Sequence, residues 1–357
     1  MHLTELLVRN LRCLEEVRIY PQERLNVIIG ENGSGKTSLL EAIHVLSRAR
    51  SFRGNNNRRL IREGNESLTV FGRISAAAGK SFTMGVRREK DALCLKLSNH
   101  EDPRILDLLR ALPVQVLTPG LHALLESGPN QRRRFIDWGV FHVEPEFFPV
   151  WQRYNRVLRQ RNACLRKQLP ATQVTAWDDA LISSAERMDA LRLRHVEDLR
   201  IHLQAAGHIS TEVELQYLRG WPKEHSLRQL MRDNLSRDQR QGFTGMGPHR
   251  ADLRLRWDGK SAIDVASRGE QKLLIAMLHL QQASVVGEKT GVSPVLLVDD
   301  IAAELGAEYR SLFADAAASS GMQVFMSFLE RSQVPPIVAA SQMFHVKQGG
   351  VTPSGSP

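Results

Sequence analysis

Residues 25–38 read Leu-Asn-Val-Ile-Ile-Gly-Glu-Asn-Gly-Ser-Gly-Lys-Thr-Ser, and the order of apolar residues and glycines in them decides the fold. The first part, Leu25–Ile29, is an apolar run with the length of a buried strand. From Leu39 to Leu46, apolar residues recur at helical spacing. The stretch therefore predicts a strand that leads through a glycine-rich loop into a helix, as in an α/β domain.

The glycine-rich loop fits the Gly-x-x-x-x-Gly-Lys-Thr pattern of phosphate-binding loops. A chance match is the alternative, but the strand before and the helix after are the context that the motif requires. In such a loop, backbone N–H groups surround the phosphates of a nucleoside triphosphate. We expect Lys36 to reach the β- and γ-phosphates and the Thr37 hydroxyl to bind Mg²⁺. The residues expected to bind the nucleotide here are Gly30, Glu31, Asn32, Gly33, Ser34, Gly35, Lys36, Thr37 and Ser38.

An acidic pair, Asp299-Asp300, follows the fully apolar run Val295–Val298. This is the Walker B position, where an aspartate holds Mg²⁺ directly or through water. We therefore expect Asp299 to be a metal ligand and Asp300 to orient and deprotonate the attacking water. Two solvated aspartates at the end of a strand are the alternative. With Lys36, these two residues form the predicted catalytic set.

A third segment, Ser267-Arg268-Gly269, lies at the predicted start of a helix upstream of the acidic pair. A hydroxyl and backbone N–H groups at a helix N-terminus suit a phosphate, and in ABC ATPases this element meets the γ-phosphate bound by the opposite subunit. We call these residues the signature segment. On its own the segment is equally consistent with an ordinary helix cap and turn.

The 357-residue chain has a formal net charge of +9, which favours a polyanionic partner, nucleic acid before a membrane surface. A protein that is merely basic is the alternative. The cysteines, Cys13, Cys94 and Cys164, suit neither a disulfide framework nor a zinc site, so a reducing cytoplasm fits best. No apolar run reaches the roughly 20 residues that span a bilayer, and no signal peptide is expected.

The pattern along the chain predicts a head assembled from both ends around a helical insertion. A long helical stretch from Phe147 to Leu203, broken near Pro170, predicts two paired helices. The predicted parts are 1–115 with the nucleotide-binding loop, 116–241 as the helical arm, 242–347 with the signature segment and acidic pair, and 348–357 as a disordered tail.

Two groups of arginines are candidates for DNA phosphates. The first follows the predicted helix after the loop, where some members could instead stack on the base or close the nucleotide site, and the second lies in the arm. A solvated helix face is the alternative for each group. The residues assigned to DNA are Arg53, Arg58, Arg59, Arg132, Arg133 and Arg156, and the arm series also includes Arg153, Arg159 and Arg161. Since no base-reading element is evident, we expect sequence-independent duplex binding that depends steeply on salt.

Several motifs together resemble those of the RecF family, the ABC-type recombination mediators of bacteria. They cover nearly the whole chain except the tail, and those in the middle are absent from most ABC heads. The resemblance rests on residues 31–37, 132–142, 154–162, 247–252, 267–272 and 299–305.

The resemblance implies an α/β ATPase head of the ABC type, similar to Rad50 and SMC heads, with a short helical arm. It also implies an ATP- and Mg²⁺-dependent homodimer that clamps double-stranded DNA near single-strand/double-strand junctions. Work with RecR and RecO to load RecA, slow DNA-stimulated ATP hydrolysis and a place in the DNA damage (SOS) response are implied as well. By position in the family pattern, Gln115 is expected to sense Mg²⁺ and the γ-phosphate, and Ser267, Arg268 and Gly269 to contact ATP across the dimer.

Three positions depart from the expected patterns. Gly306 stands where the family has Asp, Glu270 where Gln is common, and Ser327-Phe328 where a transporter ATPase has a histidine. Two rival functions remain open: a transporter-type ATPase subunit, and a structural DNA clamp that scarcely hydrolyses ATP.

Overall fold

A computed structural model describes residues 1–54, 56–76, 79–98, 100–207 and 213–353. The strands are β1 His2–Leu11, β2 Leu14–Ile19, β3 Leu25–Ile29, β4 Ser67–Ser75, β5 Ser81–Glu89, β6 Leu93–Leu97, β7 Val114–Leu117, β8 Val213–Leu218, β9 Asp252–Trp257, β10 Lys260–Ser261, β11 Val295–Val298, β12 Gln323–Phe328, β13 Gln342–Lys347 and β14 Gly350–Pro353. The helices are α1 Lys36–Arg48, α2 Ile105–Ala111, α3 Ala123–Glu126, α4 Pro129–Val143, α5 Phe147–Arg166, α6 Ala171–Thr175, α7 Asp178–Ala205, α8 Leu227–Asp233, α9 Leu235–Gln241, α10 Ala262–Val265, α11 Arg268–Thr290, α12 Ile301–Glu304, α13 Ala307–Ser319 and α14 Pro336–Ala339.

The chain divides into two compact units. One combines Met1–Leu121 with Ser267–Pro357, and the other is His122–Ala266. The sequence placed 242–266 with the head, but these residues belong to the second unit. The reason is β-pairing: β9 runs antiparallel to β8, with Leu255 opposite Leu215.

The first unit contains a six-stranded sheet in the order β14-β13-β3-β12-β11-β7. All neighbours pair in parallel except β13 and β14. Strands β11 and β12 are buried along their whole length, which explains their continuous apolar sequence. Since parallel strands end at the same edge, the residues after β3, β11 and β12 come together there.

A second sheet of the first unit is antiparallel, in the order β2-β1-β4-β5-β6. Strands β4 and β5 thus extend the sheet that β1 and β2 begin. Helix α1 packs against strands of both sheets and is buried almost throughout. Leu40 and Ile43 of α1 share one hydrophobic core with Leu6 of β1 and Phe325 of β12. This burial fixes the helix whose first turn carries the nucleotide-binding loop.

The C-terminal segment differs from its prediction as a disordered tail. Strand β14 pairs with β13, and the turn between them contains Gln348 and Gly349 at φ 49° and 80°. Two central residues with positive φ make a type I′ turn, the connection that suits a tight hairpin. Residues 354–357 of the predicted tail lie outside the described residues.

In the second unit, α5 and α7 pack against each other with α6 between them in sequence, as the helical pattern predicted. The three-stranded sheet β10-β9-β8 was not predicted. Arg161 of α5 has no exposed side-chain surface and pairs with Asp178 and Asp238 at 2.8 Å each. A buried guanidinium needs such partners, so the prediction that Arg161 belongs to an exposed basic series was wrong.

Candidate nucleotide site

Three neighbouring strands of the six-stranded sheet, β3, β12 and β11, position the residues of the candidate nucleotide site. The nucleotide-binding loop, Gly30–Ser38, follows β3, the acidic pair follows β11, and β12 lies between these strands and ends at Phe328. The register places Phe328 opposite Ile29, the last residue before the loop. The site therefore combines segments that are more than 260 residues apart in sequence, as the predicted head requires.

The loop backbone adopts conformations that its glycines permit. Gly33 and Gly35 have φ values of 76° and 119°, which are unfavourable for residues with a Cβ. A Cβ on Gly30 would stand 2.3 Å from Val346 O, closer than any real contact. The Ser34 hydroxyl is buried in this loop without a hydrogen-bond partner among the described residues. A loop whose conformation requires glycine, at the start of α1, suits the binding of a phosphate group.

Lys36 lies at the first position of α1, and its ammonium group is turned back onto the loop. The Nζ atom donates to Gly30 O at 2.6 Å and to Glu31 O at 3.0 Å. Burial lowers the pKa of this ammonium group, while the nearby Asp300 and Asp299 act in the opposite direction. A cation held at the loop in this way is placed to bind phosphate oxygens.

Thr37 and Asp299 lie together as the metal prediction requires. The Thr37 hydroxyl donates to Asp299 Oδ1 at 3.1 Å, and the Ser327 hydroxyl donates to the same oxygen at 2.9 Å. Burial raises the pKa of Asp299, and these two hydrogen bonds lower it. A hydroxyl and a carboxylate are oxygen ligands of the kind that Mg²⁺ prefers, with waters and phosphates completing its shell. The pair therefore fits the expected ion.

Asp300 adopts a left-handed conformation, with φ 47° and ψ 49°, immediately before α12. Its N–H donates to Ser327 Oγ at 2.8 Å, which ties the end of β11 to the end of β12. The side chain lines the same cavity as Lys36. The second carboxylate is thus at the phosphate site, where the water-orienting role requires it.

The cavity has a volume of about 290 Å³ and includes residues that the motifs did not reveal. Arg12 and Cys13, which follow β1, line it together with Arg53. The Arg12 guanidinium is fixed by the carboxylate of Glu41, with Nε and Nη2 at 2.9 and 3.0 Å from its oxygens. The complete lining is Arg12, Cys13, Asn32, Gly33, Gly35, Lys36, Thr37, Ser38, Arg53, Asp299 and Asp300. The arginines add positive charge at a phosphate site, but Arg12 belongs to no local motif.

Gln115 does not reach this cavity. It lies within β7, opposite Leu296 of β11, and not at the strand end. Its side chain is buried and contacts His279 Nδ1 of α11. The structure thus gives Gln115 a place in the packing of the sheet, and the expectation that it senses Mg²⁺ and the γ-phosphate does not match its position.

The signature segment forms the N-terminus of α11. Ser267 is the N-cap: its hydroxyl accepts from Glu270 N–H at 3.3 Å, and Glu270 Oε2 accepts from Ser267 N–H at 2.7 Å. Glu270, one of the sequence departures, therefore completes a capping box. Gly269 packs against Tyr309, whose ring would meet an added Cβ at 2.7 Å. Ser267 and Arg268 are exposed, and none of the three residues lines the cavity of the same chain.

The arginines assigned to DNA have different surroundings. Arg53 lines the nucleotide cavity, and Arg58 is exposed and pairs with Asp91 at 2.6 Å. Arg59 is exposed, and its carbonyl accepts from Arg12 Nη1 at 2.7 Å. Arg156 is exposed on α5. Of these four, Arg53 is placed for the nucleotide and the other three present charge to solvent.

Arg132 has an internal role. It pairs with both oxygens of Asp252, and its Nη1 donates to three backbone carbonyls, those of Leu124 and Leu125 in α3 and that of Ser127 after it. Arg133 is half-buried and donates to Ala251 O at 2.7 Å. Tyr154 and His249 meet at 2.6 Å within the same unit. The motifs of the middle segments thus hold the second unit together, and Arg132 is bound to Asp252 and not free for the predicted DNA contact.

No helix in the described part of the chain is long and apolar enough to cross a membrane. Within the same residues, no group of three or more His, Cys, Asp or Glu side chains could hold a metal ion. The Mg²⁺ site proposed above does not depend on such a group, because the triphosphate and water complete its ligands.

Comparisons with known proteins extend over the whole chain. The family model described as RecF/RecN/SMC N terminal domain matches residues 2–352. The DNA replication and repair protein RecF of Thioalkalivibrio sulfidiphilus is 41% identical over 354 residues, which cover 98% of each chain. A solved recombination mediator protein, RecF-ATPrS of the RecFOR pathway, is 25% identical with a TM-score of 0.87, covering 99% of this chain and 98% of its own.

The likeness extends in fold to SMC proteins. A solved SMC head bound to the C-winged helix domain of ScpA has a TM-score of 0.62 at 16% identity, covering 99% of this chain and 97% of its own. The predicted ABC-type head of the SMC kind is therefore confirmed. Because a relative more than 40% identical matches almost from end to end, and the same family's solved structure superposes throughout, this chain belongs to the RecF family of DNA replication and repair proteins.

Proposed function

We propose that this chain is an ATP-dependent DNA-binding protein of recombinational repair and replication-gap processing. ATP and Mg²⁺ close a homodimer around double-stranded DNA near a junction with single-stranded DNA. RecR and RecO are the proposed partners, with RecA loading as the outcome, in the cytoplasm at the nucleoid. Family membership and the RecFOR pathway of the solved relative support these assignments.

The proposal rests on one observation: within one chain, the elements expected to bind phosphate do not all lie at the same cavity. The nucleotide-binding loop and the acidic pair share one cavity, whereas the signature segment is exposed and lies outside its lining. Ser267 presents a hydroxyl at the N-terminus of a 23-residue helix, whose dipole favours an anion. A second copy of the chain supplies this element to the first, so ATP stabilises the dimer because it binds both halves.

The same residues support slow hydrolysis. Lys36 stabilises charge on the transferred phosphoryl group, and Asp300 orients and deprotonates the attacking water. Thr37 and Asp299 hold Mg²⁺, which neutralises phosphate charge when bound. DNA stimulates the reaction by favouring the closed dimer. Because Ser327, and not a histidine, lies beside the acidic pair, a transporter-type subunit is not favoured.

Duplex binding is proposed to be independent of sequence. The exposed Arg58, Arg59 and Arg156 contact phosphates, and the net charge of +9 adds a long-range attraction. Arg132 is excluded from this set because its guanidinium is already bound to Asp252.

Light scattering of the purified protein, with and without ATP, Mg²⁺ and a short duplex, tests the proposal. We expect a dimer that forms only with ATP and retains the duplex at moderate salt. The Lys36→Ala variant is the control, because it lacks the cation that holds the phosphates and should stay monomeric. A wild-type protein that binds ATP but remains a monomer with DNA present would overturn the clamp while leaving the nucleotide site intact.

A further inference from the structure

The hairpin of β13 and β14 contacts the backbone of the nucleotide-binding loop. Gly349 N–H donates to Ser34 O at 2.8 Å. Val346 O stands 2.3 Å from the position of a Cβ on Gly30, and Val346 Cγ1 3.4 Å from that on Gly35. The hairpin thus reaches three residues of the loop, although no step of nucleotide binding or hydrolysis described above uses it.

The turn of this hairpin, Lys347–Gly350, has a geometry that only glycine fits at position 349. Gly349 is buried with φ 80°, and a Cβ there would stand 2.2 Å from Cys13 O. Cys13 itself lines the nucleotide cavity. The backbone of Gly349 therefore bonds to the loop through its N–H and lies against Cys13 of the β1–β2 turn, and neither contact involves a flexible side chain.

The bond to Ser34 O has a consequence for the next amide. In a trans peptide, the carbonyl of one residue and the N–H of the following residue point in opposite directions. With Ser34 O held by the hairpin, the N–H of Gly35 is directed away from the hairpin. Gly35 lines the cavity, where the backbone N–H groups of the loop are the donors that phosphate oxygens need.

We propose that Gly349 is a positioning residue for the nucleotide-binding loop, and that the hairpin turn keeps the loop in its phosphate-binding conformation. The inference rests on the proposed nucleotide site. Without the hydrogen bond from Gly349 N–H to Ser34 O, the Ser34–Gly35 peptide can rotate, and ATP binding then has to order it. The turn therefore acts on ATP affinity more than on the rate of the chemical step, because Lys36 and the acidic pair are held by other elements.

The test compares Gly349→Ala with Gly321→Ala. Both glycines have positive φ, 80° and 70°, but an added Cβ at Gly321 has no heavy atom within 4 Å. The two variants share the backbone strain, and only the first places a Cβ against Cys13 O and so displaces the turn whose Gly349 N–H bonds to Ser34 O. We expect Gly349→Ala to raise the Kd for ATP about five- to tenfold, the effect of one hydrogen bond to the nucleotide. The KM for ATP should rise more than kcat falls.

Two outcomes overturn the inference: an unchanged Kd in Gly349→Ala, or an equal rise in Gly321→Ala. Lys36→Ala separates this failure from that of the nucleotide site itself. If the wild type and Lys36→Ala bind ATP equally weakly, the site is wrong, whereas a large difference between them leaves the site standing and isolates the hairpin.

Hydrogen exchange of the wild-type chain gives a second readout that needs no folded variant. ATP with Mg²⁺ should slow amide exchange in the turn Lys347–Gly350 as well as in the nucleotide-binding loop, because the Gly349 N–H is bonded to the loop. Exchange around Gly321 should not change. If ATP slowed amide exchange in the loop but not in the turn, the hairpin would not respond to nucleotide binding, and the inference would be refuted.

Discussion

The carboxylate of Asp299 lies largely buried at the end of β11 and accepts hydrogen bonds from the hydroxyls of Thr37 and Ser327. Burial raises its pKa above the ordinary value. A carboxyl group with a higher pKa in the folded protein than in the unfolded chain lowers stability wherever it is ionised. A divalent cation at this position offsets that penalty, so the residue is placed for metal binding at some cost to the free protein.

Asp299→Asn is therefore expected to raise the stability of the protein while it lowers ATP hydrolysis. The amide keeps the shape and one oxygen but carries no charge, so without nucleotide and Mg²⁺ the Tm at neutral pH should rise by about 2 °C. The gain should shrink as the pH falls through the raised pKa of Asp299 and be lost below about pH 4, where the carboxyl is neutral in both the folded and the unfolded chain. ATP hydrolysis should fall at least about a hundredfold. Calorimetry at several pH values and a phosphate-release assay check both parts; a lower Tm at neutral pH contradicts the stability argument.

Single residues show what a sequence can and cannot predict. Lys36, Thr37 and Asp299 were found because local motifs specify their chemistry. Arg161 was misassigned as exposed, although it continues the buried stripe of α5 after Tyr154 and Val157. Its spacing along α5 indicated a buried position, whereas its charge favoured exposure to solvent. The carboxylates that neutralise it, Asp178 and Asp238, lie outside α5 and later in the chain.

At the scale of an element, α11 combines two roles at its first turn. Ser267 caps the helix and is also the proposed contact to the nucleotide of the partner subunit. The capping box with Glu270 shows that the serine has a structural role even without a dimer. Loss of the hydroxyl alone therefore cannot separate the two roles, since Ser267→Ala costs about 1 kcal/mol of helix stability as well.

Substitutions that preserve the cap resolve this ambiguity. Asp and Asn both serve as N-caps, so Ser267→Asp and Ser267→Asn should keep the Tm of the wild type. A carboxylate at this position repels the γ-phosphate across the dimer, whereas the amide does not. Light scattering with ATP and Mg²⁺ should thus find a monomer for Ser267→Asp and at least partial dimer for Ser267→Asn. Equal dimer fractions for the two variants would argue against a cross-dimer contact of Ser267.

The C-terminal hairpin shows why one element was missed. The composition of residues 348–357 is rich in glycine, proline and serine, which favours disorder. The same glycines permit the positive φ of Gly349. Whether a Gly-Gly pair makes a turn or a linker depends on the strands beside it, and β13 is specified by its pairing with β3, more than 310 residues earlier in the chain. Local composition does not contain that pairing.

At the scale of the whole molecule, long-range strand pairing also decided the unit boundary. The sequence predicted the return of α/β character after Gly242 correctly, yet β9 pairs with β8 and not with the sheet of the first unit. Within the six-stranded sheet, β3 and β11 were predicted from their apolar runs, because strands buried on both faces have continuous apolar sequence. Alternating strands such as β8 and β9 are consistent with either unit until their partners are known.

The net charge of +9 belongs to the whole chain, but some of its arginines are bound to carboxylates inside the protein and others are exposed to solvent. Arg156→Ala removes an exposed charge of α5, so the duplex affinity should fall and the slope of log K against log salt should become shallower by about 1, with the Tm unchanged. Arg232→Ala is the matched control, since Arg232 is exposed on α8 outside the basic groups. It should leave the slope unchanged.

Arg132→Ala is expected to behave in the opposite way. It leaves Asp252 without its ion pair and three carbonyls without their donor, so the free energy of unfolding should fall by about 2 kcal/mol or more. The salt slope of the folded fraction should stay that of the wild type, because this guanidinium never faces a phosphate. Fluorescence anisotropy with a labelled duplex over a salt series, beside thermal unfolding, measures both quantities. A shallower slope for Arg132→Ala at unchanged Tm would mean that the pair with Asp252 opens on DNA, and that the interior of the second unit takes part in binding.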